Sequence, residues 1–145
     1  MYHLKTTKGT KDLIDAINLR IEVFVIEQGF HDEFDQIDQS AIHFLLYDGK
    51  KAIATARVYK ISDTVYEIGR VCVAKNFRRK GVGRQLLKKI EKQVLEWGGS
   101  AIKLNAQLQA ADFHKKLGYH SIGSIKTEQG CRYIEMNKSL SSAVC

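Results

Sequence analysis

Ile68-Gly69-Arg70-Val71-Cys72-Val73, then Arg78-Arg79-Lys80-Gly81-Val82-Gly83-Arg84, then Leu86-Leu87 is the stretch on which the fold turns. The first block reads as a buried strand, and the apolar pair belongs to a helix that starts directly after the loop. Between them, two glycines let a backbone come close to a ligand. Free N–H groups at a helix N-terminus, backed by the helix dipole, make a cradle for a pyrophosphate. A dinucleotide fold would want a third glycine, but Leu86 stands at that position. A P-loop would want Gly-Lys-Ser/Thr after a four-residue gap, and the chain has none. The plain reading is a structural turn leading into a solvated basic helix.

The helix runs from about residue 83 to 97 with Leu86, Leu87, Ile90, Val94 and Trp97 on its apolar face, and Gly98-Gly99 stops it. A strand at 101–106 and a short helix at 110–117, ended by Gly118, follow. Two strands, 119–126 and 132–138, close the chain around Gln129-Gly130. Upstream lies a strand at 65–73, preceded by a hairpin of 42–47 and 52–59 that flanks Asp48-Gly49. Leu13, Ile14, Ile17, Ile21, Phe24 and Val25 recur at helical spacing from Asp12 onward, after a first strand at 2–7. The stretch 29–39 lacks periodicity and reads as a loop or a short broken helix. The order is β-α-(loop/α)-β-β-β-α-β-α-β-β. It implies an α/β (α+β) domain over residues 1–145, with a mixed, mostly antiparallel sheet of six to seven strands and about four helices.

Charge is segregated. Residues 75–92 carry eight Lys or Arg against one acid, Glu91, a net of +7 that equals the excess of the whole 145-residue chain. Such a segment attracts polyphosphate, nucleic acid or an acidic partner. Glu27, Asp32, Glu33, Asp35 and Asp38 form an acidic stretch with no Lys or Arg among residues 27–38. The scattered Cys72, Cys131 and Cys145 fit neither metal spacing nor a disulfide framework, so a reducing cytoplasm is the expected location and no metal is expected. No apolar run is long enough to cross a membrane, and no secretory leader opens the chain. A nucleic-acid module is disfavoured, because the basic residues flank a phosphate loop and no helix-turn-helix or zinc pattern accompanies them.

Arg78-x-x-Gly81-x-Gly83 resembles the pyrophosphate motif of the GNAT acetyltransferase superfamily, Gln/Arg-x-x-Gly-x-Gly/Ala, at its strand-to-helix junction. Asp112-Phe113-His114-Lys115-Lys116-Leu117-Gly118-Tyr119 resembles the family's Phe-Tyr-x-Lys-x-Gly-Phe segment. Within the superfamily, Glu22 to Gln28 and Leu104-Asn105-Ala106-Gln107 are similar to the small bacterial ElaA/YjcF-like branch. The resemblance implies acetyl-coenzyme A as co-substrate and direct transfer of acetyl to a primary amine on a small molecule or peptide. It places the coenzyme on Val71, Cys72, Val73, Arg78, Arg79, Lys80, Gly81, Val82, Gly83, Arg84, Asn105, Phe113 and Lys116. Backbone N–H groups beside Cys72 and Val73 would polarise the thioester oxygen. A non-catalytic acyl-coenzyme A sensor is the alternative on the same fold.

Three residues are candidates for catalysis, each with a plainer reading. Glu67 is the expected base for the attacking amine, with Asp38 or another acid of the loop in reserve, or else a surface strand residue. His114 stands where relatives have the tyrosine that protonates the leaving thiolate. It can serve as an acid with its ordinary pKa near 6.5, or lie on a helix surface while water supplies the proton. Asn105 holds the pantetheine amide or a water, or ends a strand. Cys72 reads as a small buried hydrophobe and not a nucleophile, His43 as a satisfied core histidine, and Trp97 and Phe113 as core. The family's acceptor wall would fall on Gln28, Glu33, Asp35 and Asp38. Acids there favour a cationic acceptor, unless they form only a solvated loop. The oligomeric state stays open, a homodimer being the commonest closed arrangement.

Overall fold

A computed structural model describes residues 2–10, 13–31 and 33–141. Cys145 and Asp32, and the residue taken as the start of the first helix, Asp12, lie outside the described residues. Seven strands form one sheet in the order β1-β2-β3-β4-β5-β7-β6. They are β1 (His3–Lys8), β2 (Ile42–Asp48), β3 (Lys51–Lys60), β4 (Val65–Val73), β5 (Ala101–Gln107), β6 (His120–Glu128) and β7 (Cys131–Ser139). Four α-helices accompany them: α1 (Ile14–Arg20), α2 (Ile37–Ser40), α3 (Val82–Glu96) and α4 (Ala111–Lys116). β4 and β5 pair in parallel over Val65–Ile68 and Ala101–Leu104, and α3 is the crossover that a parallel pair requires. The remaining pairings described are antiparallel.

The chain divides into two compact units. One comprises the described residues up to Tyr59 with Gly69–Ile90; the other comprises Lys60–Ile68 with the described residues from Glu91 onward. In the first unit, β2 and β3 alternate little in burial: His43 to Tyr47 and Ile53 to Val58 are all buried, as strands covered on both faces should be. Their two-residue turn is Gly49-Lys50, with Gly49 at φ +60°, the Gly-X form that suits the twist of a hairpin. Leu13, Ala16, Leu45 and Tyr47 form one apolar cluster, and Leu19, Val23, Phe24, Cys72 and Ala74 another. Leu86, Leu87 and Ile90 of α3 are fully buried.

The first helix departs from the expectation of one regular helix through Val25. After Arg20 it widens into a π-helix over Ile21–Glu27, with the Gln28 N–H donating to Val23 O at 3.1 Å, a five-residue step. The wider turn displaces the side chains that follow, and π segments are uncommon. Ile26 is left 75% exposed, and Glu27 emerges toward the loop that precedes α3.

In the second unit, Ile68, Val94, Ile102, Leu104, Leu117, Tyr119 and Met136 are buried. Trp97 is half-buried against Tyr66, with ring centres 5.5 Å apart. Phe113, expected in the core, is 38% exposed, because α4 is short and its buried face is given to Ala111 and His114. Among the described residues, no helix is long and apolar enough to cross a membrane.

Candidate active site

β4 ends at Val73, a 3-10 turn spans Lys75–Phe77, and α3 opens at Val82. Arg79 and Gly81 both take left-handed backbone, at φ +61° and +79°. Glycine meets that demand at Gly81 without cost, whereas Arg79 carries strain of a kind that clusters at functional sites. The loop therefore enters the helix abruptly. The Gln85 N–H donates to Gly81 O at 3.0 Å, so the N–H groups before it, at Val82, Gly83 and Arg84, have no intrahelical acceptor by the geometry of a helix start. Lys75, Arg79, Lys80 and Arg84 are exposed around them. This donor set fits a diphosphate.

Arg78 is different. Its Nε donates to Val73 O at 3.0 Å, and its two terminal nitrogens grip Glu27 at 2.6 and 2.8 Å. The pair holds the Glu27 carboxyl below its usual range, chiefly through the hydrogen bond from Arg78. The side chain expected on the coenzyme thus closes the β4–α3 turn and clasps the end of the π-helix. Cys72 is 5% exposed, and burial pushes its thiol far up, which rules out a resting thiolate nucleophile. Val71 and Val73 flank it, half-buried.

The acidic stretch, read from sequence as an acceptor wall, is neutralised. Glu33 and Asp38 are each 4% exposed. Arg20, itself 1% exposed, donates from Nε to Glu33 Oε2 at 2.8 Å and from Nη1 to Asp38 Oδ1 at 2.8 Å. Arg57 donates from Nη1 to Asp35 Oδ1 at 2.6 Å and Asp38 Oδ1 at 3.0 Å, and from Nη2 to Asp35 Oδ2 at 3.0 Å. Arg70 reaches the Glu33 carbonyl and carboxylate, both at 3.0 Å. It does so from a left-handed φ of +51° in the middle of β4. Three arginines thus face three carboxylates. Burial would raise the Asp38 carboxyl, but the Arg20 hydrogen bond and charge, the Asp35 N–H and Arg57 together bring it down to about 2. For Glu33 burial wins over Arg20 and Arg70, and its carboxyl is raised. The partners pull both groups the same way, so desolvation decides the difference. His43, 1% exposed, lies 3.1 Å through Nε2 from the Asp38 carbonyl, and burial lowers its pKa despite that contact. Gln28 is exposed beside this cluster in sequence.

The second unit holds the remaining candidates. Glu67 is half-buried on β4, opposite Lys103 of β5. Asn105 is exposed on β5, opposite Glu135 of β7. Lys116 is exposed on α4. His114 is not on the surface: it is 5% exposed, with its ring edge-on to Phe113 and Tyr119 at 5.0 and 5.8 Å. Its Nδ1 is buried with no hydrogen-bond partner among the described residues, and burial takes its pKa to about 4. At neutral pH the imidazolium is roughly a thousandth of the population, so the acid expected from an ordinary histidine is scarce. Sequence reading missed the network around it. Tyr119 donates its hydroxyl to Glu91 Oε2 at 2.9 Å, and Lys138 donates to Glu91 Oε1 at 2.9 Å and to Leu117 O at 2.7 Å. A Glu on the apolar side of a helix was the available signal. Among the described residues, no His, Cys, Asp and Glu grouping could hold a metal ion.

Residues 12–140 match the family described as the Acetyltransferase (GNAT) domain. The chain belongs to the GNAT acetyltransferases. Among relatives, it is 35% identical over 134 residues to the uncharacterized N-acetyltransferase YjcF of Bacillus subtilis, covering 90% of this chain and 95% of YjcF. The Escherichia coli ElaA structure superposes with a TM-score of 0.84 at 27% identity, covering 95% of this chain and 99% of ElaA. An aminoglycoside 6'-N-acetyltransferase complexed with coenzyme A shares the GNAT fold at a TM-score of 0.77 and 14% identity, covering 99% of each chain. The seven-stranded, mostly antiparallel sheet with four helices is the GNAT architecture.

Proposed function

We propose that this GNAT domain transfers acetyl from acetyl-coenzyme A directly to a primary amine. The observation that carries the reading is the strand-to-helix loop. Left-handed Arg79 and Gly81 turn the chain into a 15-residue helix whose first N–H groups have no intrahelical acceptor, and Lys75, Arg79, Lys80 and Arg84 are exposed beside them in sequence. A fold neighbour complexed with coenzyme A supports the same ligand. Arg79, Lys80 and Arg84 supply charge to its phosphates, and the backbone from Gly81 to Arg84 supplies the fitted contacts. Asn105, Phe113 and Lys116 are the remaining coenzyme contacts in this reading.

In the transfer, the neutral amine forms a C–N bond with the thioester carbon while the C–S bond breaks. N–H groups beside Cys72 and Val73 stabilise the oxygen as charge builds on it. Glu67 takes the amine proton, directly or through water. The thiolate takes its proton from water, because buried His114 carries none to spare at neutral pH. Neutralisation of Glu33, Asp35 and Asp38 removes the reason to favour a polycationic acceptor.

Calorimetric titration with acetyl-coenzyme A, with NAD and ATP as controls, tests the coenzyme. Selective micromolar binding is expected. Equal affinity for all three would reduce the loop to a basic turn. Release of free thiol in the presence of an amine then separates an enzyme from an acyl-coenzyme A sensor.

A further inference from the structure

Among the described residues, Arg70 is the one non-glycine inside a strand that takes left-handed backbone, at φ +51°; Arg79 and Gln129 do so in turns. That φ crowds a Cβ, and it persists only where the surroundings over-determine it. The surroundings here are a clamp. Arg70 Nε lies 3.0 Å from both the carbonyl and the carboxylate of Glu33, and Nη2 lies 3.4 Å from Asp35 Oδ2. Glu33 is buried and held in turn by buried Arg20, so the anchor is fixed. Parallel pairing of β4 with β5 covers Val65–Ile68 and ends two residues before Arg70. Beyond Arg70, two hydrogen bonds fix which way the backbone points. The Ala74 N–H donates to Ile53 O of β3 at 2.8 Å, and the carbonyl of the same peptide, Val73 O, accepts from Arg78 Nε at 3.0 Å. The Val73 carbonyl therefore faces away from β3. In an extended strand the N–H and C=O of one residue share an edge, so the Val73 N–H faces away from β3 too.

We propose that Arg70 is a positioning residue for acetyl transfer: its clamp on Glu33 and Asp35 holds the left-handed turn that aims the Val73 N–H at the thioester oxygen. The proposal rests on the acetyl-transfer reading and gives the acidic stretch a task within it. Moving φ from the usual parallel-strand value of about −120° to +51° reorients the peptides that follow. Without the clamp, a residue with a Cβ at position 70 returns to the strand region, and the Val73 N–H swings off its aim. Hydrogen bonds weaken steeply with angle, so the thioester oxygen is then polarised less. Arg70 acts through the backbone in this scheme, because its side chain is committed to Glu33 and Asp35.

Two variants separate the clamp from the backbone angle. Arg70→Ala removes the clamp and keeps a Cβ that disfavours φ +51°, whereas Arg70→Gly removes the clamp but adopts that φ freely. Both should fold, since Glu33 keeps Arg20 and Asp35 keeps Arg57. The readout is the Val73 amide in a nitrogen-proton correlation spectrum of the full chain, with coenzyme A and then acetyl-coenzyme A at saturation. The two ligands differ in the acetyl group, so a hydrogen bond to its carbonyl should move the wild-type Val73 amide proton downfield with acetyl-coenzyme A relative to coenzyme A. Arg70→Ala should lose that difference and Arg70→Gly should keep part of it, with acetyl-coenzyme A affinity unchanged in both. A Val73 amide indifferent to the acetyl group in wild type, or a difference retained in Arg70→Ala, would overturn the proposal while leaving the acetyl-transfer reading in place. Equal loss in the two variants would show that the side chain, and not the φ it holds, is what matters, and would overturn it as well. If wild type binds neither ligand, the acetyl-transfer reading falls and the proposal falls with it.

Discussion

At the scale of single residues, His114 shows how burial changes what a side chain can do. An imidazole with a bare, buried Nδ1 loses hydration and gains nothing in return, so its charged form is disfavoured and its pKa falls to about 4. The unfolded chain takes up this proton near pH 6.5 and the folded one does not until about pH 4. Stability contributed by neutral His114 is therefore complete above pH 6.5 and lost as pH falls toward 4, by about 3 kcal/mol at most. His114→Phe removes the unpaired nitrogen while keeping a ring between Phe113 and Tyr119. It should abolish that acid limb and raise stability at pH 5, as read from thermal melts across pH. It should also leave turnover at pH 8 within about threefold, since a true general acid is worth about a hundredfold or more. A hundredfold loss of kcat with coenzyme affinity intact would restore His114 as the proton donor. Asp38 works in the opposite sense. Its carboxyl, depressed to about 2, contributes stability above pH 3.8 that is lost as pH falls through 2. Asp38→Asn should flatten that lower step in the same experiment.

At the scale of elements, much of the secondary structure was legible because its signals are local. Asp48-Gly49 marked the hairpin, Gly98-Gly99 and Gly118 ended helices, and the stripe from Leu86 to Val94 placed α3 within a residue or two. The π-helix at Ile21–Glu27 was not legible, since apolar residues at three- and four-residue spacing satisfy an α-helix equally well. Nor was the fate of the acidic stretch. Its counter-charges lie on α1, β3 and β4, and Arg20 and Glu33 are 13 residues apart while Arg70 and Glu33 are 37 apart. No pattern within the loop announces partners that only folding supplies. The loop depends on them, however. Arg20→Met would leave Glu33 and Asp38 buried without their shared cation and should cost about 3–5 kcal/mol in denaturant unfolding. A loss under 1 kcal/mol would mean that water replaces the arginine and the burial is shallower than described. Glu27 and Arg78 form the opposite case, an exposed clasp whose loss costs little stability. Glu27→Gln frees the Arg78 guanidinium beside the phosphate loop and removes a carboxylate from it. Acetyl-coenzyme A affinity at low salt should tighten by about two- to fivefold, as one nearby unit charge would produce. Weaker binding in Glu27→Gln would show that the clasp shapes the loop more than it competes for Arg78.

For the whole molecule, sequence alone suggested a chain divided into a basic and an acidic part, and folding keeps only one of them. The acids between Glu27 and Asp38 that are described are each matched by an arginine. The single acid within residues 75–92, Glu91, is buried and bonded to Lys138 and Tyr119, so it does not screen its neighbours. Lys75, Arg79, Lys80, Arg84, Lys88, Lys89 and Lys92 remain exposed, and Arg84, Lys88 and Lys92 recur every four residues along α3. Like charges at that spacing weaken a helix slightly. A concentrated cationic stripe draws a highly charged ligand from beyond contact distance and raises its capture rate, an effect that salt screens over roughly 10 Å. With the acidic stretch neutralised, nothing comparable acts on an uncharged or singly charged acceptor. Raising ionic strength from about 20 to about 200 mM should therefore lower kcat/KM for acetyl-coenzyme A by about tenfold and leave the KM of an uncharged or singly charged acceptor nearly constant. Lys88→Gln with Lys92→Gln, both past the first turn of α3, should shallow that salt slope without changing kcat. If kcat/KM for the coenzyme is flat with salt, the stripe does not steer it, and its charge must serve another anionic partner.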